Sequence, residues 1–193
     1  MARWRGRRGV RAGVVAVLVS GALAVGLYLF QPWKLWQDET VNEALPGALS
    51  SAPAFAPGEP GPGTAVPESA PESPPEPRTL AQGSFISHEH DTRGTAKLLR
   101  LADGSHVLRL EGLDTSNGPD LRVWLSDAPV KEGVAGWRVF DDGAHVSLGK
   151  LKGNKGDQNY AVPADVDPAD YGSVAIWCDR FDVSFGAAEL ADA

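Results

Sequence analysis

The run Val174-Ala175-Ile176-Trp177-Cys178 decides the fold class, because it is apolar on both parities of an extended chain. A strand with one wet face alternates apolar and polar residues, whereas a strand covered on both faces does not. This stretch is therefore predicted to be a central strand. Working outward, Leu121, Val123 and Leu125 interleave with Arg122, Trp124 and Ser126. Leu108 and Leu110 alternate with Val107, Arg109 and Glu111, and Phe181, Val183 and Phe185 with Asp182 and Ser184. Turn signals separate these runs at Asp103-Gly104, Asn117-Gly118-Pro119, Asp142-Gly143, Gly153 to Gly156 and Asp167-Pro168. No long helical period interrupts them, and only Pro168 to Tyr171 suits a short helical turn. Residues 82–190 are expected to form an all-β domain, an antiparallel β-sandwich or flattened barrel. A chain of that size buries about two-thirds of its unfolded surface, enough for one core without staples.

The rest of the chain follows different physics. Of 193 residues, 18 are Lys or Arg and 25 are Asp or Glu, for a net charge of −7. Residues 1–37 carry +6, residues 38–81 carry −6, and the remainder carries −7. Residues 12–30 hold no charge, and a helix of that length reaches about 28 Å, near the thickness of a hydrocarbon core. Residues 12–31 are thus expected to be a single transmembrane signal-anchor helix that partners a lipid bilayer. Arg3, Arg5, Arg7, Arg8 and Arg11 place the basic segment 1–11 in the cytoplasm by the positive-inside rule. Tyr28, Trp33 and Trp36 suit an aromatic belt on the far side, with Lys34 reaching the headgroups. A cleaved signal peptide is the alternative, since Ala22-Leu23-Ala24 resembles a cleavage site. That triplet lies inside the apolar run, which is longer than an ordinary signal-peptide core. Residues 37–81 hold most of the 15 prolines and a single aromatic residue, Phe55. They are expected to form a disordered Pro/Ala/Glu-rich linker holding the domain away from the membrane.

The one cysteine excludes an intrachain disulfide, a four-thiolate iron–sulfur cluster and a four-cysteine zinc site. Cys178 itself reads in two ways. It is an inert buried thiol packing as a small hydrophobe, or it is a redox thiol or thiolate ligand, with Arg180 favouring the thiolate if the two side chains converge. A cupredoxin copper site needs a histidine and a methionine soon after the cysteine, and neither follows Cys178. A haem with the cysteine on one side and His88, His90, His106 or His145 on the other stays open. His88-Glu89-His90 sets two imidazoles on one face of an extended strand, a half-site for zinc or copper; a solvated strand end is the commoner meaning. Asp165, Asp167 and Asp170 lack the glycine and bidentate glutamate of a calcium loop. Lys150, Lys152 and Lys155 are a local basic cluster in an acidic domain, and the acidic balance argues against nucleic acid. No nucleophile elbow, zinc-protease, Walker or dinucleotide motif is present, so nothing marks an enzyme.

Several phrases in order point to one family. They are Gly83-Ser84-Phe85, Gly94-Thr95-Ala96, Asn117-Gly118-Pro119-Asp120-Leu121, Leu148-Gly149 with Leu151-Lys152-Gly153, Gly156-Asp157-Gln158-Asn159-Tyr160, and Ser173 to Trp177-Cys178. Phe181, Phe185-Gly186 and Ala188-Glu189-Leu190 complete the pattern. The chain resembles the DM-thirteen domain, the proposed electron-transfer module found beside DOMON domains in Skeletor-type proteins and alone in bacterial membrane-anchored proteins. The resemblance implies an extracytoplasmic β-sandwich-like domain in which Cys178 is the signature cysteine, acting as a redox thiol or holding a group such as haem. With no DOMON partner in the chain, the electron donor is expected to be another protein. From the residues themselves, Asn117-Gly118-Pro119 fixes a tight turn, and Asp120 is placed to cap backbone N–H groups there. Two functions follow: a membrane-tethered electron-transfer or redox module working through Cys178, or a non-enzymatic cell-surface binding or structural module in which Cys178 only packs.

Overall fold

The computed structural model describes residues 3–30, 37–46 and 76–193. A helix, α1, spans Arg3–Phe30 and so extends through the arginine cluster, consistent with the good helix propensity of arginine. Its side chains at positions 13–28 are exposed apart from the partly covered Gly26. Among the described residues no helix is long and apolar enough to cross a membrane.

The remainder is β-structure, as the alternating runs predict. The strands are β1 (Thr40–Asn42), β2 (Arg78–Ser87), β3 (Arg93–Arg100), β4 (His106–Asp114), β5 (Leu121–Ser126), β6 (His145–Lys150), β7 (Lys155–Ala161), β8 (Ser173–Cys178), β9 (Val183–Glu189) and β10 (Ala191–Asp192). They form one curled sheet in the order β1-β7-β4-β3-β2-β9-β8-β5-β6, with β10 added beside β2. The two halves share β2, which pairs with β3 through Ser84 and with β9 from Phe85 onward. The result is an open half-barrel and not two separate sheets. Gly83 sits where β2 changes partners, and a Cβ there would lie 1.8 Å from the carbonyl oxygen of Glu189. Only glycine allows so close an approach of two backbones.

All six residues of β8 are buried, as expected of a central strand. Val174, Ile176 and Cys178 face the inside of the curl, with Leu108, Leu110, Leu121, Val123 and Phe185. Ala175 and Trp177 face outward, where the connection between β5 and β6 covers them with Ala128 and Phe140. The short helical turn appears at Pro168–Asp170, and the Asp167 carboxylate accepts the Ala169 N–H at 3.0 Å. That gives one of the three clustered aspartates an ordinary capping role.

Three expectations need correction. Phe181 is not part of a strand: β9 begins at Val183, and Phe181 is half exposed in the turn before it. The sheet is not wholly antiparallel, because β1 pairs with β7 in parallel. The stretch 37–81, expected to be a disordered linker throughout, departs from that at both ends. Its first part, 37–46, includes β1 and is docked on the domain, and Arg78 onward belongs to β2. A three-residue strand is too short to show a period of two, and its partner lies more than a hundred residues away in the chain. The central part, 47–75, lies outside the described residues, as do Trp33, Lys34 and Trp36.

Candidate functional site

A cavity of about 570 Å³ opens at the end of the curl where β5 begins and β8 ends. Three segments wall it: 37–39 before β1, 117–121 entering β5, and 150–154 between β6 and β7. Each is held by local chemistry. In the second, the Asn117 side-chain oxygen accepts the Gly118 N–H at 2.9 Å, and its amide nitrogen donates to the Gln37 carbonyl at 3.3 Å. Asn117 therefore caps the turn, a role the sequence pattern suggested for Asp120. Asp120 acts instead through its carbonyl, which accepts the Asp179 N–H at 3.0 Å and ties the turn to the end of β8. Its carboxylate faces Arg122 at 3.6 Å and Lys150 at 3.7 Å, and Arg122 also pairs with Asp179. These four side chains form a charged cluster, of which Asp120 and Lys150 line the cavity.

The third wall is fixed from beneath by a buried amide. Gln158, fully buried in β7, donates from Nε2 to the Gly153 carbonyl at 2.7 Å, and its Oε1 accepts the Tyr160 hydroxyl at 2.7 Å. The same hydroxyl oxygen accepts the Lys152 N–H at 3.0 Å. Burial pushes the Tyr160 phenol up to about 12, so it stays a neutral donor at ordinary pH. Gln158 was not singled out from the sequence, although its inward parity with Tyr160 was the available signal.

Gly153 and Gly156 have a specific task. A Cβ on Gly153 would lie 2.4 Å from the Glu39 carbonyl oxygen, and one on Gly156 would lie 2.1 Å from that of Val41. Gly156 also has φ +97°, a region that side chains disfavour. The two glycines make the seat on which the first wall and β1 rest.

Cys178 lies beside a residue of this cavity. It pairs across the ladder with Leu121, and both belong to the inner core, so directly opposed Cβ atoms sit on one face. Leu121 lines the cavity and Cys178 does not. The thiol is fully buried next to that lining residue. Arg180 is exposed in the turn beyond. Trp177, on the opposite face of β8, stacks on Trp124 at 4.9 Å between ring centroids, and Trp124 stacks on the exposed His145 at 4.2 Å.

The histidines do not converge on the thiol or on one another. β2 ends at Ser87, so His88 and His90 sit on a bend and not on one strand face. His88 is buried, with Nδ1 2.9 Å from the Ser184 hydroxyl and Nε2 3.0 Å from the Lys131 carbonyl. The carbonyl requires a proton on Nε2, and burial holds the pKa below the ordinary 6.5, so both nitrogens of a neutral ring are committed. His90 covers Phe185, with ring centroids 3.9 Å apart. His145 hydrogen-bonds Gly143, and His106 borders a separate smaller cavity near Tyr171. Among the described residues no group of three or more His, Cys, Asp or Glu side chains is arranged to hold a metal ion. A haem does not fit these residues either. A sulfur fully buried among apolar side chains offers no room for a macrocycle, and His88, His90 and His145 are engaged by other partners.

Asn117, Gly118, Pro119, Asp120 and Gly153, quoted above from separate stretches of sequence, thus surround one cavity, and Gly156 supports its edge. Taken with the curl of the sheet, they define a small β-domain with a polar-lined cavity beside a single buried thiol. Residues 84–190 match the family described as Electron transfer DM13, over more than half of the chain, and the protein belongs to that family. No curated protein and no solved structure matches the chain.

Proposed function

We propose that the protein is a membrane-anchored electron-transfer module whose exchange site is the cavity next to Cys178. The observation that carries this reading is convergence: seven residues of the family pattern wall one cavity, and an eighth, Cys178, is the ladder partner of one of them, Leu121. The uncharged run 12–30 and the five preceding arginines support an anchor that is single-pass, with the N-terminus cytoplasmic and the β-domain outside. Because the chain holds one cysteine, a disulfide at Cys178 forms only by exchange with a disulfide of another molecule, whose second sulfur leaves as the thiol, so the redox partner is external to this chain. The rings of Trp177, Trp124 and His145 continue from the residue beside Cys178 to the surface.

The test is electron exchange with soluble mediators by the full chain in detergent, for the parent and Cys178→Ala. Loss of exchange in a variant with unchanged circular dichroism supports the proposal. Equal exchange in both, or none in the parent, overturns it. A second reading, a surface binding or structural module in which Cys178 only packs, is favoured by the complete burial of the thiol among apolar side chains. It requires that Cys178→Ala leave every cellular phenotype intact.

A further inference from the structure

We infer that residues 37–44 are a releasable strap that closes the cavity next to Cys178, so that access to the thiol depends on whether the strap is docked. This rests on the cavity being the exchange site. The segment lies outside the stretch that matches the family. Gln37, Asp38 and Glu39 nevertheless form one of the three walls.

The way the strap is held explains why it can release. Its ladder with β7 runs over only three residue pairs, Thr40 to Asn42 against Lys155 to Asp157. Polar contacts at each end supply the rest. Asn154 Oδ1 accepts the Glu39 N–H at 2.7 Å, and Asp38 pairs with Lys155 at 2.6 Å. Glu43 pairs with Lys152 at 2.7 Å and accepts the Asn159 N–H at 2.7 Å, while Arg109 donates to the Glu43 carbonyl at 3.2 Å. Only Val41 supplies a partly covered apolar side chain in the ladder. Surface ion pairs return little, and ordering a residue in extended conformation costs more than one such pair supplies. Such a segment belongs to the low-stability end of a fold and opens on its own. Opening also breaks the Asn117 contact with the Gln37 carbonyl and removes the wall that faces Leu121, the ladder partner of Cys178.

The experiment follows maleimide alkylation of Cys178, the only thiol, in the full chain in detergent. Gly156→Ala drives a Cβ into the Val41 carbonyl and removes the seat of β1. Lys152→Gln combined with Lys155→Gln weakens the end contacts without touching the backbone, and keeps the test informative if the glycine variant does not fold. Alkylation of the double variant is expected to run about threefold to tenfold faster than in the parent. High salt should raise the parent rate toward that of the double variant. Hydrogen exchange at 39–44 verifies release. A rate unchanged from the parent, in a folded variant whose 39–44 amides have lost protection, refutes the strap. Alkylation reads access and not electron flow, so a protein inactive in electron exchange that still shows strap-dependent alkylation overturns the proposed function and leaves this inference standing.

Discussion

Exchanging Cys178 for Ala and for Ser separates a dry packed thiol from one in a polar setting. Cys178 is fully buried between Leu121 of β5 and Val183 of β9 and belongs to the inner apolar cluster. Alanine deletes one sulfur, about the transfer free energy of a methylene, and leaves a small void, for roughly 1–2 kcal/mol in all. Serine nearly keeps the shape but places a hydroxyl among apolar side chains, where an unsatisfied group costs ~1–3 kcal/mol in addition to the lost apolar contact. One kcal/mol moves the Tm of a domain this size by about 4–8 °C. Thermal unfolding of the full chain in detergent, followed by the β-signal in circular dichroism, should therefore show Ala lower by ~4–16 °C and Ser lower than Ala. The order of the two variants matters more than either number. A serine variant as stable as the alanine variant, or more stable, would mean that the site is wet or polar. The dry, apolar packing of the thiol would then be wrong.

Other expectations follow from single contacts. Gly83→Ala meets the Glu189 carbonyl where β2 changes partners, and should lower stability by roughly 2 kcal/mol or more, read by urea unfolding. Burial holds the His88 pKa below its ordinary 6.5, so the unfolded chain binds the proton more readily; this stability is complete above pH 6.5 and is lost as pH falls through the folded value. The parent Tm should accordingly decline on acidification below pH 6.5, and His88→Gln should flatten that decline. The Lys155 contact, then that of Asn154, holds the Asp38 carboxyl below its ordinary value, and Lys152 does the same for Glu43. Both contribute to docking above the ordinary carboxylate range and stop contributing as pH falls through the lowered values. Hydrogen-exchange protection factors at 39–44 should fall on acidification below about pH 4, and Asp38→Asn with Glu43→Gln should remove that dependence.

Much of the domain was legible because burial leaves a periodic trace. β8 is apolar on both parities and is covered on both faces; β5 alternates, with Leu121, Val123 and Leu125 inside. The trace fails where a side chain's place is set from far along the chain. Thr40-Val41-Asn42 carries no pattern of its own, and what makes it a strand is the space left by Gly153 and Gly156. His88 and His90 have the spacing of a shared strand face, but the strand stops at Ser87 and the parity stops with it. At the candidate site, the Asn117 turn and the buried Cys178 were readable one by one. Their meeting at one cavity was not, because it depends on the curl of the sheet and on the register of Leu121 with Cys178.

The docking of β1 also sets a leash. From Phe30, where α1 ends, to Gln37 on the domain, the chain passes only through residues 31–36, which reach at most about 25 Å when fully extended. The chain leaves the domain after β1 and rejoins it at β2, so the number of residues between those points does not set the distance from the helix end to the domain while β1 stays docked. That number alters only the entropy of closing a loop, which grows logarithmically. Shortening or lengthening that loop should leave the domain's reach from the helix end intact while the strap stays docked, whereas each residue inserted within 31–36 lets the domain out by one more step.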